Sequence, residues 1–339
     1  MLLVTTHEFK QLIQQIGLSQ FTSQLINQLE KDFSHWETFK KSPRHATHYP
    51  HGVIELMPCA DDVYYSFKYV NGHPPNTEVN KLCVAAIGQL SEVSSGYPLM
   101  LSEMTWLTAI RTAATAALGA KYLARADSKK LAIVGCGAQA EFQLIALASV
   151  LPVTTVYYFD IASAAMRKFE KNVATMQLPR LTLIPASSID SCLEEADVVV
   201  TATACKSRQQ LITSANLRPG MHIHAMGGDC PGKTEISRCA LDASKIFVEY
   251  LEQTREEGDI QQLTDHSSVV ELWKVITKAR PGRTDEQDIT LFDSVGFALE
   301  DYSALCLTYR LCEEYGIGQS IDMIPELGDP KDLYVGLVN

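Results

Sequence analysis

The sequence predicts an α/β fold, a doubly wound parallel sheet joined to a discontinuous α+β domain. Three observations predict it. A glycine turn links a strand to a helix within residues 131–160, β-rich runs alternate with helical ones from there onward, and the first 120 residues mix helices with short, proline-punctuated β-like pieces.

The stretch LAIVGCGAQAEFQLIALASVLPVTTVYYFD, residues 131–160, reads as strand, turn, helix, strand and terminal acid. Its first apolar run, 131–134, has the length of a buried parallel strand, and Gly135, Gly137 and Ala140 complete a G-x-G-x-x-A turn of the Rossmann type. The first glycine permits the tight turn and the second lets a pyrophosphate approach the backbone. Ala140 lets helix and strand pack closely, and the helix N-terminus offers free N–H groups. Asp160 closes the second β-rich run, 154–159, at about the usual 20-residue spacing for an acid that binds a ribose 2′-OH. A carboxylate there repels a 2′-phosphate, so NAD is favoured over NADP.

Further strands are expected at 181–184, 197–202, 222–226, 245–248 and 289–292, with Ser187 as the N-cap of the helix that follows the first of them. Upstream, 9–39 is broadly helical and a long helix spans about 102–125. A final helix, 298–315, ends at Gly316 as a C′ residue. Its return toward the first domain implies a substrate-binding and dimerisation domain made of 1–120 and 310–339, with a Rossmann domain at 121–309 between them.

Composition narrows the partners. The chain has 339 residues, 46% hydrophobic and 20% charged, as a soluble globular protein with room for two domains does. A net charge of −11 and a pI near 5.3 argue against a nucleic-acid partner. No apolar run approaches the length of about 20 residues that a membrane-spanning helix needs. The N-terminus lacks the basic, apolar and small-residue pattern of a secretory signal. Nine cysteines (59, 83, 136, 192, 205, 230, 239, 306 and 312), odd in number and without a C-x-x-C pair, are expected as reduced thiols in a cytoplasmic protein.

The segment HIHAMGGDCPGKTEIS, 222–237, leaves a sheet strand at the edge where open α/β folds bind ligands. Asp229, after Gly227 and Gly228, reads either as a turn residue beside a solvated Lys233 or as a general base. In the second reading a closed, partly apolar pocket raises its pKa from about 3.9. Arg44, Glu55, Lys68 and Arg111 form a second candidate cluster. Glu55 and Lys68 interrupt apolar runs and Arg111 interrupts an Ala- and Leu-rich helix, so each is either a water-facing charge or a ligand. Three cations and one carboxylate match a zwitterionic amino acid, with the cations taking its carboxylate in fork geometry.

His45, His48 and His51 recur every three residues, but Pro50 and the absence of a completing ligand set argue against a metal. His222 and His224 share one side of a strand and are expected to be packed or solvent-facing. In 290–301, Asp293 or Ser294 either caps the last helix or belongs to a loop that closes over a nicotinamide.

Through GVIELMP (52–58), KYVNGHPPNT (68–77), 95–125, VGCGAQA (134–140), GGDCPGKTE (227–235) and FDSVGFALEDYSAL (292–305), the chain resembles the ornithine cyclodeaminase/mu-crystallin family over essentially its whole length. The resemblance implies a homodimeric enzyme that converts L-ornithine to L-proline and ammonia with NAD. Hydride is abstracted and later returned, with intramolecular cyclisation and ammonia loss between. It further implies that Arg44, Lys68 and Arg111 bind the substrate carboxylate and that Glu55 meets its amine. Asp229 is implied as the catalytic acid/base and Val295 as a substrate contact. Ala138, Gln139, Asp160, Thr201, Met226, Lys233, Ser294 and Arg111 are implied as cofactor contacts, beside Gly135, Gly137, Gly227 and Gly228. One departure stands out: the family's Gly-x-x-Thr-Val segment reads Lys81-Leu82-Cys83-Val84, so a weaker thiol replaces a hydroxyl toward the cofactor.

Three alternatives stay open. One is an NAD(P)-dependent amino-acid dehydrogenase or cyclic ketimine reductase that exchanges its cofactor. Another is a lysine cyclodeaminase, since one methylene is worth only about 1–3 kcal/mol in a pocket. The third is a non-enzymatic binding protein, against which the retained Asp229 and cation set argue.

Overall fold

The computed structural model describes residues 1–176, 178, 181–204 and 208–338; Cys205 therefore lies outside the described residues. One of its two large sheets has eight strands, parallel at every neighbouring pair. Their order is Thr182–Pro185, Thr155–Phe159, Lys130–Val134, Val198–Thr201, His222–Ala225, Thr290–Asp293, Lys245–Val248 and Val270–Glu271. The winding reverses at Lys130–Val134. The strands that follow it directly run out to one side and those from Val198 onward to the other, which opens a crevice beyond their carboxyl ends.

Each strand expected from the sequence in this sheet lies within one residue of its expected bounds. Their order was not foreseen: Thr290–Asp293 inserts between His222–Ala225 and Lys245–Val248. A separate parallel pair, Arg208–Ile212 with Thr234–Ile236, was not foreseen either.

Two helix caps differ from expectation. The cap after Thr182–Pro185 is Ser188, not Ser187; its hydroxyl accepts the Ser191 N–H at 3.1 Å, the position three residues on that capping geometry requires. Neither Asp293 nor Ser294 caps the last helix, Ala298–Tyr315, whose N-cap position is Phe297. Asp293 instead accepts the Ile260 N–H at 2.8 Å and Ser294 donates to Glu249.

The second sheet is mostly antiparallel. Its path runs Gln319–Ser320, Leu2–Val4, Pro98–Glu103, Val84–Glu92, Tyr64–Gly72, Gly52–Ala60 and Lys40–Lys41, and His45–Tyr49 also pairs with Gly52–Ala60. Three of these strands are nine residues long, longer than the short pieces expected from the prolines. Pro58 is accommodated because the flanking partners leave a gap at its level: His45–Tyr49 reaches only Leu56, and Lys40–Lys41 starts at Cys59, so no N–H is needed there. The broad helix over 9–39 is two helices, Thr6–Ile16 and Leu18–Ser34, parted at Gly17.

Two helices join the sheets. Ala298–Tyr315 lies across Gly52–Ala60, Tyr64–Gly72 and Val84–Glu92, while Thr105–Leu123 touches that helix, the helix Ala140–Val150 and the strands His222–Ala225 and Thr290–Asp293. Leu107, Ile110, Leu118, Phe292, Phe297 and Leu305 belong to one buried cluster running through this seam. Phe297 is fully buried, with ring centroids 4.8 Å from Tyr250 and 5.4 Å from Trp36. Phe297→Ala is expected to destabilise the protein by about 3–5 kcal/mol, read as a lowered denaturant midpoint.

Candidate active site

The glycine turn has the geometry its sequence asks for. Gly135 stands at φ +102°, and a Cβ there would lie 2.5 Å from the Ala202 carbonyl oxygen, so only glycine fits. A Cβ on Gly137 would meet nothing within 4 Å, which leaves the backbone open to a ligand. Asp160 is anchored beside the turn: its two carboxylate oxygens accept the Cys136 and Ala162 N–H groups, each at 2.8 Å. Lys168 braces the turn through the Gly137 carbonyl at 2.7 Å and Glu141 at 2.8 Å. Gln139 occupies the N-cap position of Ala140–Val150, next to exposed Ala138, and its Oε1 is buried without a donor. An open turn, an anchored acid and an orphaned buried acceptor fit a dinucleotide.

The parallel register carries further residues to the same edge. Val134, Thr201, Ala225 and Asp293 are successive partners across four strands, so Thr201, Met226 and Ser294 line one rim. Met226 Sδ accepts from Gln143 at 3.2 Å, and Gly227 and Gly228 lie against the carboxylates of Glu235 and Asp259.

The cations come from the other sheet and its covering helices. Glu55 pairs across to Val70 and Met57 to Lys68; because directly opposed residues share a face and residues two apart on a strand do too, Glu55 and Lys68 point the same way, under Ala298–Tyr315. Lys68 Nζ reaches Asp301 at 2.8 Å with 1% of its side chain exposed. Arg111 bonds the same Asp301 at 2.9 Å and Glu300 at 2.7 Å. Burial, and then the charge of Arg111, push Lys68 down to about 8. Burial pushes Glu300 up to about 8 in spite of Arg111.

Arg44 is held on three sides. Glu55 lies at 3.1 Å from Nη1, Glu257 at 3.1 Å from Nε, and Nη2 donates to the Val295 and Gly296 carbonyls at 2.7 and 2.6 Å. Glu249, fully buried, holds the same loop: it accepts the Ser294 hydroxyl and the N–H groups of Val295 at 3.2 Å and Gly296 at 3.1 Å. Burial raises its pKa against those bonds. Gly296, at φ +81°, allows Arg111 to come close, since a Cβ there would lie 2.7 Å from Nη1.

Both sequence readings of the Asp229 loop need correction. The lysine is not solvated and the aspartate is not enclosed: Lys233 has 8% of its side chain exposed, Asp229 has 51%, and they pair at 3.1 Å. Gln261 clamps the loop by accepting the Gly232 N–H at 2.7 Å and donating to the Lys233 carbonyl at 3.0 Å. Asp259 fixes its far end by accepting the N–H groups of Glu235 and Ile236 at 2.7 and 2.8 Å.

The model of the ornithine cyclodeaminase/mu-crystallin family matches residues 7–315. The chain belongs to this family. An ornithine cyclodeaminase of Agrobacterium tumefaciens (strain Ach5) is 46% identical over 331 residues, covering 98% of this chain and 92% of its own. A solved lysine cyclodeaminase, described with L-lysine, L-ornithine and L-2,4-diaminobutyric acid, superposes with a TM-score of 0.90 at 26% identity, covering 98% of both chains. An archaeal alanine dehydrogenase dimer with bound NAD superposes at 0.86 and 29% identity, covering 95% of this chain and 99% of its own.

Within this member of the family the structure gathers Arg44, Glu55, Lys68, Arg111 and Val295 into one contact network, but not as expected. The cations do not form an open fork, because each already has an acidic partner. Glu55 pairs with Arg44 and is no isolated anchor. Cys83 stands just ahead of Val84–Glu92, three residues before Ala86 in the Glu55–Val70 row, and its carbonyl accepts the His73 N–H at 2.8 Å. Sequence reasoning missed Glu249, Glu257, Glu300 and Asp301. The last two read as acids favouring a helix N-terminus, and nothing local tells that they reach Lys68 and Arg111. His222 and His224 are packed in the core; His222 bonds Thr290 at 2.9 Å, and burial pushes His224 down to about 3. Among the described residues no cluster suits a metal ion.

Asp301→Asn leaves two buried cations short of one charge. It is expected to lower stability by about 3–5 kcal/mol, measured by denaturant unfolding, whereas a loss below about 1 kcal/mol would mean the pair is solvent-screened.

Proposed function

We propose that the chain converts L-ornithine to L-proline and ammonia with NAD bound at the glycine turn. The full-length likeness to the Agrobacterium ornithine cyclodeaminase carries this reading. Asp160 would hold the adenosine ribose, and Gly135, Gly137, Ala138 and Gln139 the pyrophosphate. Thr201, Met226, Gly227, Gly228, Lys233, Ser294, Arg111 and Cys83 would border the rest. When bound, NAD supplies hydride chemistry at the substrate α-carbon and ends the cycle in its starting oxidation state.

Arg44, Lys68 and Arg111 take the substrate carboxylate. Burial raises the pKa of Glu300, so it offsets less of the Arg111 charge toward an incoming anion than an exposed carboxylate would. Glu55 meets the amine. Asp229 accepts the α-amine proton, because only an unprotonated amine lets hydride leave its carbon. The substrate's terminal amine then closes a five-membered ring, with the high effective concentration of an intramolecular attack.

The reading extends to assembly. Leu56, Tyr69 and Ile87 form one row across three strands on the sheet face opposite Lys68, 40%, 40% and 50% exposed. A contiguous apolar row of this kind supports a homodimer through the domain of residues 1–120 and 310–339, with 121–309 binding the cofactor. Hydrogen-exchange protection that breaks elsewhere would redraw those bounds. A sedimentation mass near 75 kDa is expected from two 37.5 kDa chains, and a monomer mass would end the dimer reading. A cytoplasmic setting is supported by free thiols at Cys59, Cys136, Cys192, Cys239, Cys306 and Cys312.

With L-ornithine and catalytic NAD, equal proline and ammonia without accumulating NADH are expected. NADH rising in step with substrate loss would instead identify an amino-acid dehydrogenase. Turnover of L-lysine in preference to L-ornithine would shift the substrate to the longer homologue, as the likeness to lysine cyclodeaminase allows. Asp229→Asn is expected to keep NAD binding by titration while kcat falls about 10²- to 10⁴-fold; an unchanged rate removes Asp229 from its role.

A further inference from the structure

The diamino acid of the proposed reaction presents a problem that one base does not solve. It arrives with two ammonium groups. The α-amine must be neutral for hydride to leave, and the terminal amine must be neutral to attack the α-carbon. Asp229 serves one of them.

We propose, resting on the functional reading above, that Glu257 is the second proton acceptor of the pocket and takes the proton of the substrate's terminal ammonium. Glu257 is the last residue of the helix Leu251–Glu257, one turn after Gln253. Residues four apart on a helix share a face, and both of these reach Arg44. Gln253 Oε1 accepts the Arg44 backbone N–H at 3.1 Å, and its Nε2 donates to the Gly296 carbonyl at 2.9 Å. Glu257 Oε2 lies 3.1 Å from Arg44 Nε. Neither atom makes a hydrogen bond, so this buried Glu257 oxygen is held to Arg44 by charge alone, beside the guanidinium assigned to the substrate carboxylate.

The next turn of chain clamps the Asp229 loop through Asp259 and Gln261, which ties the two carboxylates to one rigid unit. The charges that act on Glu257 come from several elements: Arg44 from just ahead of the strand His45–Tyr49, Glu55 from Gly52–Ala60, Asp229 from its loop, and Glu249 from the end of a parallel strand. Burial, opposed by Arg44 and supported by the neighbouring carboxylates, pushes Glu257 up to about 7, where a carboxyl exchanges protons near neutral pH.

The proton balance closes. Two protons leave the substrate nitrogens, one to each carboxylate. The terminal nitrogen forms a bond to the α-carbon and passes one of its hydrogens to the original nitrogen; the bond from the α-carbon to that nitrogen then breaks, and its electron pair departs with ammonia. One stored proton returns to the ring nitrogen and the other leaves on ammonia as ammonium, so the ornithine cation gives zwitterionic proline and ammonium without an outside acid or base.

The test compares L-ornithine with L-norvaline, which has the same carbon chain and lacks the terminal amine. In Glu257→Gln, kcat for L-ornithine is expected to fall about 100-fold while calorimetric binding of L-norvaline stays as in the wild type. A carboxyl protonated below about pH 7 accepts no proton, so the wild-type rate falls as pH drops through that value; the variant loses this limb. Glu257→Asp, which keeps the carboxylate, is expected to recover part of the rate. A wild-type rate with the limb intact in Glu257→Gln overturns the inference, as does parallel loss of norvaline binding, which would mean that Glu257 only orders Arg44. A wild-type protein that releases no proline fails the functional reading itself and takes the inference with it.

Discussion

Asp301 faces two buried cations at once, and the site is arranged around that meeting. Lys68 comes from the antiparallel sheet, Arg111 from the helix that crosses between the sheets, and Asp301 from the last helix, whose start lies at the rim of the parallel sheet. An unpaired charge at this depth costs several kcal/mol, so all three elements are constrained to converge. That convergence sets the seam where a cofactor edge and a cation cluster face each other.

A second set of carboxylates holds backbone and not cations. Glu249 gathers the N–H groups of Val295 and Gly296, Asp259 those of Glu235 and Ile236, and Asp293 that of Ile260. Loops at a sheet edge are ordinarily the mobile part of an α/β protein. Here Glu249 fixes one of them, so carbonyl oxygens of residues 295 and 296 present a rigid clasp to Arg44. Preorganisation of this kind lets a site act without rearranging at the moment of reaction. Asp229 differs, being half exposed and paired with a single buried lysine.

The cations and carboxylates also temper one another. Lys68 is pushed down and Glu300 and Glu257 up, each into the neighbourhood of neutral pH. Buried groups held this near neutral pH change protonation in response to small changes in the charges beside them.

Local rules made much of this legible. The glycine turn, its acid and the parallel strands follow from sterics and hydrophobic periodicity within about 30 residues, which is the range over which a βαβ unit closes. The same rules marked Glu55, Lys68 and Arg111 as charges in apolar runs without telling which way they pointed; cross-strand register decided that. What tertiary structure alone decided is partnership. Glu257 lies 213 residues from Arg44 in sequence and Asp301 lies 233 from Lys68, and no periodicity links such pairs. The order of the strands, which places 290–293 between its neighbours and so delivers Val295 to Arg44, is likewise a property of the assembled sheet. Sequence determined which groups were present and which backbone shapes they permitted. Burial and long-range pairing determined which charges are shared and which elements those shared charges hold together.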